Sequence, residues 1–479
     1  MALNSLLYLA LLGPAVGLYW LCPPRFRHVL LLVLSVAFYA SWQPGFVVLP
    51  FVLAALAYVA VRQFNTDTKH GKTWLSFGLV AVLLPLVFFK YSQFSLNSWN
   101  SMCESLGCSP LQVSLAFAAP LGISFYTFTA VGVLLDSRQG RVKQPKFIDL
   151  SLLLSFWPYL LSGPIVRFRE IVPQWTTPRK FDRSMLTGGF DCLVLGLAQK
   201  HFIANNLSAI VDEGFLPNAA LTNSTVDNWM LAVAYGLQLY FDFAAYTNMA
   251  IGTARLLGIK LPENFRYPYH AANPPDFWAR WHMSLSRWIR DYLFFPMNAK
   301  YGGAALPLYL SLVGIMAAVG LWHGAGWGFI LWGTMHGVYL ALWRIWERVR
   351  QKHERLASAS WPNWLWRCFT LGAVILAWVP FRAVDLDQAY LMMRSMLWNP
   401  TFGVSYSANG FLAVMLFAGY CLVEPYLAEW IKKMDQLLLR GSWGAVANWY
   451  VVRPVAYAML LFLFLVFDDR NTQFIYFQF

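Results

Sequence analysis

Two histidines stand out as groups able to move protons. His323 lies in "GLWHGAGWGF" at the end of an apolar run, and His282 lies in "FWARWHMSLS". An ionisable side chain within a membrane span is expensive and usually faces a bundle interior or a water-filled path. Imidazole is also the side chain whose ordinary pKa suits proton transfer near neutrality. Gly324, Ala325 and Gly326 come directly after His323 and would let backbone or substrate approach closely. The chemistry indicated is general-base catalysis. A satisfied structural imidazole is the alternative, and the residues alone leave both open, as they do for His336 in "WGTMHGVY".

Other polar groups stand in apolar surroundings. Asp242, in "LYFDFAAYTN", is flanked by Tyr240, Phe241 and Phe243. An unpaired carboxylate there would be costly and must find a partner, which the sequence does not identify. In "NPPDFWARWHMSLSRWIRDYLFFP", Pro274 and Pro275 end any preceding element and Asp276 can cap the next helix. Phe277, Trp281, Leu285, Trp288 and Tyr292 then recur at helical spacing, with Arg280, Arg287 and Arg290 opposite. This predicts one interfacial helix, aromatic face inward and guanidinium groups toward water or phosphate, with His282 on the boundary between the faces. Simple anchoring by Trp and Arg would give the same pattern. The chain closes on "FIYFQF", an aromatic cluster around Tyr476 that needs something to pack into. No phosphate-binding glycine loop, zinc site or Ser-His-Asp order with usable spacing is present.

The elements that position these groups must lie in a bilayer. The chain is 58% hydrophobic and 17% aromatic, with only 12% charged residues against about 25% in a soluble domain. About eleven to thirteen apolar segments approach the length of a span, among them 5–21, 47–61, 74–89, 306–322, 329–343 and 455–467. Without water to satisfy the backbone they should be helices of one all-α, polytopic integral membrane bundle. No basic stretch precedes the first apolar run, so 5–21 is expected to stay as the first helix. Net charge is +13, and the basic residues cluster in the loops around 62–72, 138–146, 167–180, 344–355 and 432–440. The stretches 92–112 and 205–228 have none. By the positive-inside rule the first set is cytoplasmic and the second external, which places both termini outside. The segment 147–165 has basic loops at both ends and should be re-entrant, a hairpin or in-plane. The pair 306–322 and 326–346 should turn at depth or near the external face, carrying His323. Of the six cysteines, at 22, 103, 108, 192, 368 and 421, only Cys103 and Cys108 share a polar loop. They are either a disulfide in an oxidising space or two free thiols.

The segments "PLGISFYTF", "SGPIVRF", "YFDFAAYTNMAIG", "NFRYPY", "DFWARWHMSLSRWIRDYLF", "GLWHGAGWGFILWGTMHG" and "WVPFRA" occur in an order that resembles the membrane-bound O-acyltransferase superfamily. More closely, they resemble its bacterial branch for acetylation of alginate, cellulose and peptidoglycan. The likeness runs from about residue 80 to 479, within a single membrane-embedded domain 1–479 that begins with helices in 1–79 and ends with an aromatic tail, 468–479. The resemblance implies a helical bundle with a central tunnel. His323 corresponds to the family's essential histidine and His282 to its second active-site position. Arg280, Arg287, Arg290, Asp291, Trp322 and Asp242 are further candidates for the donor side or the tunnel, with no metal. It also implies that Tyr476 enters the external end of the tunnel and accepts the acyl group; a purely structural tail is the competing reading. Ala244, Ala245, Thr247 and Asn248 stand where relatives usually carry small hydroxyl residues and an acid. After "RDYLF", where many relatives continue with a glycine pair and a basic residue, this chain reads "FPMNAKYGG".

The expected activity is that of an O-acetyltransferase of the bacterial inner membrane. Acetyl-CoA is its donor substrate and no cofactor is permanently bound. An exported polysaccharide is the final acceptor, reached through a periplasmic acetyltransferase partner; membrane lipids surround the protein and nucleic acid has no part. A lipid acceptor and a transporter or flippase without covalent chemistry are the alternatives, the last lacking the inverted repeat it would tend to show.

Overall fold

In the computed structural model, which describes residues 2–66, 70–177, 179–217, 223–301, 305–352, 363–398, 402–438, 451, 453–467 and 474–475, every regular element is a helix. Five helices among the described residues are long and apolar enough to cross a membrane: Pro44–Phe64, Gly71–Ser105, Ala305–His323, Trp364–Arg382 and Ala408–Met434. Leu6–Leu21 is apolar but shorter. Most of the remaining helices are shorter. The chain divides into two compact units, 1–193 with 246–263, and 194–245 with 264–479.

In the first unit, the polar stretch expected to be an external loop from 92 is helical as far as Ser105, continuing a helix of 35 residues. No glycine or proline interrupts 92–105, and Gly107 supplies the left-handed residue that ends the run. Residues 149–166 are buried without exception. Their helix, Phe147–Ser155, stops short and gives way to irregular backbone. Non-helical backbone at this depth is tolerated only where protein covers it, and Tyr159 accordingly returns its hydroxyl to the Leu153 carbonyl at 2.7 Å. The segment is therefore a buried, partly irregular piece and not a simple spanning helix. Deeper in the unit, Tyr8 joins Thr253 by a 2.8 Å hydroxyl contact, and the Trp157 indole donates to Tyr8 at 3.3 Å. All six cysteines are free, Cys103 buried and Cys108 exposed.

The second unit is organised by the helical hairpin Ala305–His323 and Trp327–Lys352. Its two arms meet through glycine. A Cβ on Gly320 would strike the Phe329 carbonyl, and one on Gly333 would strike the Met316 carbonyl. The paired positions belong to "GLWHG" and "GTMHG", two repeats of the small-xxx-small form that lets membrane helices approach backbone to backbone. Residues 363–382 then form a helix against the second arm.

Candidate functional site

The stretch 276–294 is not one helix. It breaks at Trp281 and His282 into Pro274–Arg280 and Met283–Ile289, succeeded by a π-helical turn at Arg290–Phe294. His282 adopts φ 43° and ψ 52° and so caps the second helix from a left-handed backbone. Among the described residues only Tyr267 shares that feature outside glycine. Such conformations cost free energy and persist where the surroundings over-determine them. Here Asn264 supplies the constraint: its carbonyl accepts from the Met283 amide at 2.8 Å. Its side-chain oxygen takes the Ser284 hydroxyl at 2.6 Å and, more weakly, the Ser284 amide. The Arg280 carbonyl closes the other side by accepting from the Arg266 amide. Helical spacing could not reveal this break, because the aromatic residues keep their periodicity on either side of it.

The cap of the first piece also differs from expectation. Asn273, rather than Asp276, accepts the first free amide, at 2.8 Å from the Asp276 nitrogen. Asp276 instead reaches back to the Ala272 amide at 3.0 Å and forward to Arg280 at 2.7 Å. The two side chains thus satisfy each other's turn in the manner of a capping box.

The break turns the His282 ring inward. His282 is fully buried, and its ring stands edge-on to Phe243 with centroids 4.7 Å apart. Neither of its nitrogens has a hydrogen-bond partner among the described residues. His323, the last residue of its helix and 4% exposed, brings its ring to 6.4 Å from that of His282. Trp322 at 4.9 Å, Trp332 at 5.1 Å and Phe381 at 5.5 Å wall the His323 ring. A ring nitrogen lies about 1 Å from its centroid, so the two imidazoles approach no closer than about 4 Å, longer than the roughly 3 Å of a direct hydrogen bond.

The sequence-derived candidates separate into groups. His282, His323 and Trp322 come together, with the His282 and Trp322 rings 6.3 Å apart. Arg287 and Arg290 are exposed, Arg290 pairing with its neighbour Asp291 at 2.8 Å, while Arg280 is held by Asp276. None of the three guanidinium groups is buried. His336 is buried, its ring stacked on Phe277 at 5.8 Å and edge-on to Trp332 at 5.0 Å. Asp242 is buried beside Phe243 and has the partner its burial demands, Lys200 at 2.6 Å. Tyr476 lies outside the described residues. Among the described residues, no three His, Cys, Asp or Glu side chains converge to hold a metal ion.

Sequence reasoning missed Asn264, Trp332, Trp378 and Phe381. Trp378 stacks on Trp332 at 5.8 Å and tilts against Trp281 at 5.0 Å, joining the hairpin to the broken segment. The signal available for Phe381 and Trp378 was their place in "WVPFRA", and for Asn264 its place in "NFRYPY".

The model of the membrane-bound O-acyltransferase family matches residues 76–379. The chain is similar to the probable alginate O-acetylase AlgI of Azotobacter vinelandii, 35% identical over 402 residues that cover 83% of this chain and 78% of the relative. It is similar to the peptidoglycan O-acetyltransferase of Helicobacter pylori, 33% identical over 405 residues, 78% of this chain and 74% of the relative. A teichoic acid D-alanyltransferase of Bacillus subtilis is 30% identical over 350 residues, 70% of this chain and 81% of the relative.

Proposed function

The chain belongs to the membrane-bound O-acyltransferase family and is a multi-pass membrane O-acyltransferase; from that premise we propose that it takes acetyl from cytoplasmic acetyl-CoA and passes it toward an exported polysaccharide. The choice of acetyl accords with the relatives named for alginate and peptidoglycan acetylation, whereas the more distant one is named for D-alanyl transfer. Family membership removes the transporter reading.

The observation that carries the chemistry is the buried pair His282 and His323, with ring centroids 6.4 Å apart. His323 acts as general base. Its imidazole takes the proton of the acceptor hydroxyl while that oxygen bonds to the thioester carbonyl carbon. The carbon–sulfur bond then breaks, and the proton passes to the departing thiolate. The products are an oxygen ester and free CoA thiol. His282 orients the thioester or shares the proton's passage. In a bacterial cytoplasmic membrane with the C-terminus outside, Tyr476 is the first acceptor, and a periplasmic acetyltransferase carries the group onward. A phenol ester remains activated, so dividing the transfer lowers each barrier.

The test is labelled acetyl-CoA supplied to the purified protein and to His323→Ala. The expected loss of transfer is roughly 100-fold or more, the usual range for a positioned base. Near-normal transfer at equal protein level would remove the assignment. Label recovered in lipid rather than in protein or polysaccharide would redirect the acceptor.

A further inference from the structure

The Lys200 and Asp242 pair is not consumed by the chemistry above, and its contacts point elsewhere. Both side chains are almost completely buried, 1% and 2% exposed, with Nζ 2.6 Å from Oδ1. The second carboxylate oxygen, Oδ2, accepts the main-chain N–H of Ile475 at 2.8 Å. The Phe474 ring lies over the ammonium, 4.6 Å from Nζ to the centroid. Phe474 and Ile475 are themselves 2% and 6% exposed. One carboxylate therefore holds a cation and the C-terminal backbone at once, and the tail covers the cation with an aromatic face.

The surrounding elements are built to present this pair. Lys200 lies in the π-helical segment Gln199–Ala204, a local widening of the helix that is frequent at functional sites. The last helix, Arg453–Phe467, packs on that segment. Asp242 immediately precedes Phe243, whose ring forms the wall against His282. All of these groups belong to the second compact unit.

We propose that Lys200 and Asp242 are the docking pair for the C-terminal tail, fixing the main chain at Ile475 and so setting where the next residue, Tyr476, is delivered. They are positioning residues. Recognition through a backbone amide and an aromatic face suits an aromatic segment and requires a carboxylate at 242. The docking stands on the contacts of residues 474 and 475; its consequence for transfer rests on the reading of Tyr476 as first acceptor.

Ile475→Pro tests it in the full-length protein, because proline deletes the donated N–H and leaves the Lys200 and Asp242 pair untouched. Ile475→Val keeps the amide and serves as the control. Docking is read as the rate at which carboxypeptidase removes the terminal residues. It is expected to rise at least tenfold in Ile475→Pro and in Asp242→Ala, and to stay within twofold in Ile475→Val. Acetyl transfer should fall at least tenfold in kcat for Ile475→Pro, with KM for acetyl-CoA within twofold. Unchanged carboxypeptidase release in Ile475→Pro would overturn the docking pair. Tyr476→Phe separates the two readings, since it should leave release unchanged and abolish transfer. Undiminished transfer in Tyr476→Phe, with release still governed by residues 242 and 475, would remove the relay and keep the dock.

Discussion

His282 and His323 set their rings 6.4 Å apart from separate elements, one placed by a left-handed main-chain residue and the other by the terminus of a helix. Neither placement depends on a long side chain, so the spacing between the imidazoles is fixed by backbone.

Replacement of His282 should separate backbone strain from imidazole chemistry. His282→Gly and His282→Ala both delete the ring, but only glycine adopts φ 43° without steric cost. The alanine protein is expected to be the less stable by about 1–2 kcal/mol, measured by denaturation in detergent, while both lose transfer. Equal stability of the two would show that the chain relaxes out of the left-handed region once the ring is gone.

Asn264→Ala should loosen the start of Met283–Ile289. It removes the 2.6 Å acceptor of the Ser284 hydroxyl and the weaker bond to the Ser284 amide, and a lost hydrogen bond usually costs about 0.5–1.5 kcal/mol. Asn264→Asp retains an acceptor oxygen and should recover most of the stability and of the transfer rate. Failure of aspartate to recover either would mean that the amide group itself is needed.

Gly333→Ala should damage the hairpin out of proportion to one methyl group. The added Cβ meets the Met316 carbonyl, which is backbone and cannot rotate aside. A loss of about 1–3 kcal/mol is expected, as for other overpacked sites, together with reduced transfer, because His323 rides on the opposing arm. Alanine at Gly314, where nothing lies within 4 Å, is the matched control and should be neutral.

Arg287 and Arg290 are exposed, and under the proposed function they attract the phosphates of CoA. Arg287→Gln combined with Arg290→Gln should raise KM for acetyl-CoA several-fold at low salt with little change in kcat. The difference should shrink as ionic strength shortens the Debye length toward about 3 Å. A KM indifferent to both substitutions at low salt would relieve these residues of that role.

Much of the arrangement was legible in residue types. An imidazole at the end of an apolar run, with small residues directly after it, marked the His323 turn, and basic loops flanking 147–165 marked a buried piece that is not a simple span. Pattern could not supply the features that leave periodicity intact. The break at His282 is set by hydrogen bonds from Asn264, distant in sequence, and the partner of Asp242 emerges only when a π-helical turn brings Lys200 inward. The helix from Gly71 to Ser105 overruns its expected end because polar composition does not by itself break a helix, and only glycine at 107 stops it.

The glycine contacts between the two arms of the hairpin act as a ruler. Main chain touching main chain has no slack to give, so if the acyl group is transferred at His323 as proposed, a bulkier one is accommodated by trimming the indole and phenyl walls around residue 323 rather than by spreading the arms. Under the proposed function, selectivity for the transferred group is then set by a handful of aromatic rings, and variants that carry a larger one should be sought there.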